Sequence, residues 1–214
     1  MAKVLYIKGH PATNAERSVS LTLAEHFISA YKAMHMSDTV TTVDLYSDDI
    51  PLIDAEVLSG WDKLRFGHAG SVTLAEHAKL NRLTVLSDQF VAADKYIFAA
   101  PMWNMGYPPM VKAYIDGAMI VQGKTFAYTD QGPVALLRGQ DKKAIILEAS
   151  GGQYLGTPMA AHTAASHYLR TMLNYIGVDS VEVVTAEGMV QTPEKRDAII
   201  QAAEARAAKL VRTF

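Results

Sequence analysis

The 214-residue chain contains no cysteine, no long apolar run and no large excess of charge of either sign. The lack of cysteine excludes disulfides, catalytic thiolates and cysteine-ligated metal sites. No run approaches the roughly 18 apolar residues that a transmembrane helix needs. The formal net charge is -2, and no basic face or tail suggests binding to nucleic acid or anionic lipid. We therefore expect a protein that binds neither membranes nor nucleic acids.

Several signatures of other protein classes are also missing. The N-terminus, MAKVLYIKGH, has too short an apolar run for a signal peptide, so the expected location is the cytoplasm. The chain has no H-E-x-x-H metal site and no G-x-S-x-G nucleophile elbow. It also lacks the G-x-G-x-x-G loop and the Walker loop that bind phosphates in Rossmann dehydrogenases and P-loop NTPases. We expect no resident metal ion.

Short strands and amphipathic helices alternate along the chain, half of whose residues are hydrophobic. Runs rich in apolar or β-branched residues predict strands at 3–7, 40–45, 95–100, 143–149 and 181–186. Apolar residues three and four apart predict helices at 18–34, 71–91, 110–119, 167–176 and 194–211. This alternation predicts an α/β fold, with helices on both faces of a parallel sheet. We interpret residues 1–214 as a single domain and residues 48–70 as an irregular insertion.

Residues that follow the first predicted strand suit a phosphate group. In an open parallel sheet, ligands bind beyond the carboxyl ends of the strands. Gly9 and His10 follow the strand directly, and Ser18, Val19 and Ser20 stand at the start of a helix. The N–H groups, the hydroxyls and the helix dipole there all favour an anion. The alternative is that these serines are ordinary helix caps.

A flat, nearly uncharged loop, PMWNMGYPP, follows the third predicted strand. Pro101, Met102, Trp103 and Met105 supply apolar contact area, and Asn104 supplies an amide for the polar edge of a planar ring. The loop therefore predicts a platform for such a ring. The alternative is a hairpin-like connection in which Trp103 packs on the core.

Ser150, Gly151 and Gly152 follow the fourth predicted strand, with Tyr154 two residues further on. A glycine pair allows the backbone to approach a ligand closely. One ligand with a phosphate at one end and a planar polar ring at the other would contact all three strand ends. Flavin mononucleotide (FMN) fits that description, and we predict it as the cofactor.

These segments resemble the FMN-dependent NADH-azoreductase family, whose members are similar to the NAD(P)H quinone oxidoreductases. The most specific stretch is Pro101-Met102-Trp103-Asn104, followed by Pro108 and by K-x-Y-I-D at residues 112–116. The resemblance implies a flavodoxin-like fold, that is, a doubly wound five-stranded parallel sheet forming one FMN-binding domain. It also implies a homodimer with the flavin site near the interface. In the implied two-step (ping-pong) cycle, NADH or NADPH donates electrons, which then pass to a planar azo compound or quinone.

The resemblance also implies roles for individual residues. Ser18, Val19 and Ser20 would hold the phosphate, Met102, Trp103, Asn104 and Met105 would line the isoalloxazine ring, and Ser150, Gly151 and Gly152 would close its other edge. Three positions depart from the family: Gly9-His10 replace a serine, the arginine usual before Gly151-Gly152 is missing, and Met105 replaces a phenylalanine. These departures bear on substrate range more than on reaction type.

No dedicated general acid is needed for hydride transfer, because the flavin supplies that chemistry. His10, Tyr128 and Tyr154 are candidate proton donors to the acceptor, and the alternative for each is a structural role. The alternative function is a flavodoxin-type electron carrier without NAD(P)H turnover. Such carriers are usually shorter and strongly acidic, unlike this nearly neutral chain.

Overall fold

The computed structural model describes residues 1–163 and 165–214, and these contain seven β-strands and six α-helices. The strands are β1 (Lys3–Lys8), β2 (Thr39–Asp44), β3 (Lys95–Pro101), β4 (Phe126–Thr129), β5 (Gly132–Ala135), β6 (Lys143–Ala149) and β7 (Ser180–Ala186). The helices are α1 (Val19–Met34), α2 (Ala55–Arg65), α3 (Leu74–Ala92), α4 (Pro109–Tyr114), α5 (Ala165–Tyr175) and α6 (Arg196–Leu210). Within these ranges, no helix has the length and apolar character required to cross a membrane.

The five predicted strands form one parallel sheet, in the order β2-β1-β3-β6-β7. The strand order reverses between β1 and β3, because β2 lies on one side of β1, whereas β3, β6 and β7 lie on the other. The register pairs Ile7 with Phe98, and Phe98 with Ile146. The carboxyl ends of β1, β3 and β6 therefore lie side by side at the position where open α/β sheets bind ligands.

Helices cover both faces of the sheet, as the sequence predicts. Alternate residues of a strand point to opposite faces, and those of β3 enter two different cores. Tyr96 and Phe98 pack in a core with residues of α3, α4 and α5. Ile97 and Ala99 pack in a second core with residues of α1 and α6. The flavodoxin-like, doubly wound fold is confirmed.

The prediction of an irregular insertion over residues 48–70 is wrong, because α2 forms within it. The Asp54 carboxylate caps this helix by accepting the N–H groups of Glu56 at 3.1 Å and Val57 at 3.0 Å. Val57 is buried with Leu80 and Leu83 of α3 in a small separate cluster. Several large apolar residues near the helix are nevertheless exposed: Leu58, Trp61, Leu64 and Phe66. They obscure the helical period, because only one narrow stripe of the helix is buried.

Strands β4 and β5 form an antiparallel hairpin that the sequence analysis did not assign to strands. Each is four residues long, and Pro133 interrupts the apolar pattern of the second. Such short segments give too few alternating positions to be distinguished from a loop.

Candidate functional site

A cleft of about 350 Å³ opens beyond the carboxyl ends of β1, β3 and β6. Most of the predicted site residues line it together: His10, Ser18, Val19, Pro101, Met102, Trp103, Ser150 and Gly151. These residues follow three different strands, and His10 and Ser150 are more than 130 positions apart in the chain. The parallel sheet brings them to one edge.

The start of α1 forms one wall of the cleft and carries unused hydrogen-bond donors. Ser18 occupies the cap position, but its side chain makes no capping bond to the described helix. Its Oγ lies instead 3.0 Å from Oγ of Ser20. The first N–H groups of an α-helix have no acceptor within the helix, and the first turn of α1 contains no acidic residue. This helix start therefore offers amides, a hydroxyl and the positive end of the dipole to an anion.

Two arginines that sequence reasoning missed also line the cleft. Arg17 belongs to a short 3-10 turn, Ala15–Arg17, which Asn14 caps by accepting the N–H of Glu16 at 2.9 Å. Arg196 lies at the start of α6 and also lines the cleft. The position of Arg17 next to Ser18 was a usable signal, whereas only the fold brings in Arg196. Both guanidinium groups add positive charge to the cleft, which favours an anionic ligand.

The loop after β3 contains a tight hairpin-like turn. Trp103 and Gly106 exchange backbone hydrogen bonds of 2.8 and 3.0 Å. Between them, Asn104 and Met105 have φ values of 49° and 68°, the left-handed geometry of a primed two-residue turn. The turn matches the hairpin-like alternative, but Trp103 is not packed in the core. Its side chain is 40% exposed, lines the cleft and contacts the His10 ring edge-on, with the centroids 6.0 Å apart.

Several predicted site residues lie beside the cleft without lining it in the described part of the chain: Gly9, Ser20, Asn104, Met105, Gly152 and Tyr154. Close packing accounts for Gly9, because a Cβ there would lie 2.7 Å from Cγ2 of Val111 and 2.9 Å from Cβ of Ala100. Ser20, in the first turn of α1, is fully buried. The ring of Tyr154 covers Gly152, within 3.0 Å of the position that a Cβ would take.

The loop after β7 completes the cleft and was not predicted as part of the site. Met189 and Val190 line the cleft, and the carbonyl of Gly151 accepts the N–H of Val190 at 2.9 Å. A Cβ at Gly151 would lie 2.8 Å from Cγ2 of Val190, so the lack of a side chain at Gly151 permits this close approach. The strand-end rule, applied to the last predicted strand as well, would have found both residues.

The surroundings of His10 favour the neutral form of its imidazole. Burial lowers its pKa below the ordinary value of 6.5, and the nearby charge of Lys8 lowers it further. Its Nδ1 accepts the N–H of Ala12 at 2.9 Å, which assigns the proton of the neutral ring to Nε2. His10 can therefore donate one hydrogen bond without carrying a charge. Tyr128, another candidate donor, is 65% exposed on β4 and does not line the cleft.

The donor set of the cleft fits FMN. Amides, a hydroxyl and guanidinium groups suit a phosphate, while Met102, Trp103 and Val190 give apolar contact area for a ring. Among the residues that the structure describes, there is no group of three or more metal-ligating side chains. The chemistry of the cleft thus favours an organic cofactor with an anionic end.

A family model described as a flavodoxin-like fold matches residues 2–211. A protein of Halalkalibacterium halodurans, named FMN-dependent NADH:quinone oxidoreductase 3, is 48% identical over 216 residues, with each sequence covered completely. A protein of Bacillus subtilis, named FMN-dependent NADH:quinone oxidoreductase 2, is 45% identical over 215 residues, again with complete coverage of both.

Solved structures of azoreductases are also similar to this chain. The crystal structure of an azoreductase from Bacillus anthracis matches with a TM-score of 0.91 and 36% identity over 100% of both chains. An FMN-dependent NADH-azoreductase from Bacillus anthracis, solved in complex with FMN, matches with a TM-score of 0.88 and 32% identity, covering 99% of this chain and 100% of that one.

Proposed function

This chain belongs to the flavodoxin-like family whose model it matches over residues 2–211, and on that premise we propose that it is an FMN-dependent oxidoreductase. It takes electrons from NADH or NADPH and passes them to quinones or azo compounds. Relatives at 45 to 48% identity carry the name FMN-dependent NADH:quinone oxidoreductase, and a structural neighbour is an FMN-dependent NADH-azoreductase.

One observation carries the proposal for this chain's own residues. A single cleft joins an uncapped helix start, which attracts anions, to an exposed tryptophan on a tight turn. A phosphate at one end and a planar ring at the other match these two features. The cleft volume of about 350 Å³ is within the usual range for small-molecule sites.

Bound FMN supplies the hydride chemistry, and the protein binds and orients it. We assign the phosphate to Ser18 and to the amides of Val19 and Ser20, with Arg17 and Arg196 adding positive charge. The faces and edges of the ring are assigned to two groups of residues: Pro101, Met102, Trp103, Asn104 and Met105 on one side, and Ser150, Gly151, Gly152 and Tyr154 on the other. His10 stands beside Trp103 as a neutral hydrogen-bond donor.

A two-step (ping-pong) cycle follows if both substrates use the same ring-binding end of the cleft. The nicotinamide and the acceptor are both planar, and both must reach the same ring face beside Trp103. They therefore bind in turn rather than together. Parallel lines in double-reciprocal plots of rate against NADH, at several quinone concentrations, would agree with this order, whereas intersecting lines would contradict it.

We also propose a homodimer with the flavin site near the interface. Apolar groups at the mouth of the cleft support it, because Trp103 is 40% and Val190 is 77% exposed in the single chain. Light scattering on the FMN-loaded protein tests the assembly, and a monomer would contradict it. A cytoplasmic location is part of the same proposal, and cell fractionation tests it.

The decisive experiment loads the purified protein with FMN and mixes it with NADH or NADPH without oxygen. Rapid loss of the flavin absorption supports the enzyme, and its return on adding benzoquinone or an azo dye identifies the acceptor class. A protein that binds FMN but is not bleached would instead be an electron carrier. A protein that binds no FMN would refute the whole proposal.

Ser18→Ala tests the phosphate end of the site. It removes one charge-assisted hydrogen bond, so the FMN dissociation constant should rise about tenfold. Ser71→Ala is the matched control, because Ser71 is exposed and donates only to the local His68 carbonyl. Equal affinities of the two variants would remove Ser18 from the site.

A further inference from the structure

The turn that carries Trp103 is tied to β6 at two places. On one side of the turn, the N–H of Met102 donates to the carbonyl of Ala149 at 2.9 Å. On the other side, the hydroxyl of Tyr107 donates to Oε2 of Glu148 at 2.8 Å. The two acceptors are consecutive residues of β6. The next two residues of the chain, Ser150 and Gly151, line the same cleft as Trp103.

Glu148 accepts the Tyr107 hydroxyl from a position that the surrounding sheet holds in place. Its strand is paired on both sides, with Ala100 of β3 and Thr185 of β7 as its partners in the register. The Glu148 side chain is only 4% exposed, although its neighbours in the strand are apolar. Ser166, at the start of α5, lines the adjoining cavity together with Glu148. A buried carboxyl is costly unless its partners hold it in place, and these partners include the hydroxyl that follows the turn.

We propose that Tyr107 and Glu148 form a positioning pair that sets the width of the ring-binding end of the cleft. The pair ties the turn that carries Trp103 to the strand that leads into Ser150 and Gly151. Without the Tyr107–Glu148 bond, the bond from the Met102 N–H to the Ala149 carbonyl is the one of these two links to β6 that remains. The two walls are then free to separate, and a planar ring between them loses contact on one face. This inference rests on the proposed function, since it concerns how the same cleft holds FMN.

Tyr107→Phe tests the pair by removing one hydroxyl with little change in volume. We expect its FMN dissociation constant, measured by quenching of flavin fluorescence, to rise about tenfold. The visible absorption bands of the bound flavin should also shift, because the environment of the ring changes. Tyr114→Phe is the matched control. Tyr114 is fully buried in the same core, and its hydroxyl has no hydrogen-bond partner among the described residues.

Variants of Glu148 test the pair from its other member. Glu148→Gln keeps an oxygen that accepts the Tyr107 hydroxyl, so FMN affinity should stay within about twofold of wild type. Glu148→Ala removes the acceptor and should weaken FMN binding as Tyr107→Phe does. Combining Tyr107→Phe with Glu148→Ala should add little, because both remove the same bond. Circular dichroism confirms that each variant is folded before binding is measured.

The possible outcomes distinguish a failure of the Tyr107–Glu148 proposal from a failure of the proposed function. Wild-type affinity and spectrum in Tyr107→Phe would overturn the pair while leaving the oxidoreductase intact. Equal losses in Tyr107→Phe and Tyr114→Phe would also overturn it, since general loosening of the core would then explain both. Failure of the wild-type protein to bind FMN would overturn the proposed function, and the pair with it.

Discussion

Glu148 should make the folded protein less stable as the pH rises, and Glu148→Gln should remove this dependence. The pKa of its carboxyl is about 7, above the ordinary value of 4.5, mainly because burial disfavours the charged form. The charge of Glu187 raises this pKa further, while hydrogen bonds from Tyr107 and Ser166 oppose the increase. Arg170, His167 and Arg206 line the adjoining cavity together with Glu148 and Glu187.

The direction of this pH dependence follows from the number of protons that the folded and unfolded chains bind. Between pH 4.5 and about 7, the folded chain keeps a proton on Glu148 that the unfolded chain has lost. The free energy of unfolding therefore falls as the pH rises through this window and levels off above it. A tenfold change in proton affinity corresponds to about 1.4 kcal/mol. A pKa raised from 4.5 to about 7 thus costs the folded state about 3 kcal/mol at pH 8, and less than about 1 kcal/mol at pH 5.

Urea unfolding at several pH values between about 5 and 8 measures the effect. Glutamine does not ionise, so the stability of Glu148→Gln relative to wild type should increase by about 2 to 3 kcal/mol across this range. Other titrating groups cancel in the comparison. Glu182→Gln is the control, because it makes the same chemical change at an exposed position on the neighbouring strand β7. A pH-independent difference for Glu148→Gln would refute the reasoning.

Two further predictions concern glycines. Gly151→Ala should weaken FMN binding severalfold, because the new Cβ would lie 2.8 Å from Cγ2 of Val190. Adding Val190→Ala should relieve the closest contact and recover part of the affinity measured by fluorescence titration, and no recovery at all would contradict this explanation. Gly177→Ala should lower the free energy of unfolding by more than about 2 kcal/mol, since its φ is 96° and the Cβ would lie 2.4 Å from the Arg138 backbone nitrogen. Gly139→Ala, with a φ of 78° and no described atom within 4 Å of its Cβ, should cost only about 1 kcal/mol in the same urea assay, and equal costs would argue against the packing clash.

The main elements of the fold were predictable because their residues are locally consistent. The near-continuous apolar run of β6 and the apolar residues three and four apart in α1 can each be recognised within a single segment of the sequence. Helix α2 escaped prediction for the opposite reason. Its buried side, represented by Val57, is narrow, and exposed apolar residues such as Trp61 mask the period. Only packing against α3 distinguishes the two kinds of apolar residue.

The candidate site was predictable where it lies directly after a strand. His10, Met102, Trp103 and Ser150 follow their strands closely, and the sheet brings them to one edge. Arg196 was not predictable, because it reaches the cleft through the packing of α6 rather than through a strand end. Gly9 shows the reverse case, since its glycine is explained by the nearby Val111 side chain rather than by a ligand.

The amino-acid sequence by itself determined the alternation of strands and helices, the absence of thiol chemistry, and the presence of both an anion-attracting helix start and a flat aromatic loop. These properties depend on residues that are close together in the chain. The tertiary structure alone decided which of these segments share a cleft, that Val190 and Arg196 join them, and that Tyr107 meets Glu148 across 41 positions of sequence. Such contacts depend on strand order and helix packing, and no local pattern of residues contains that information.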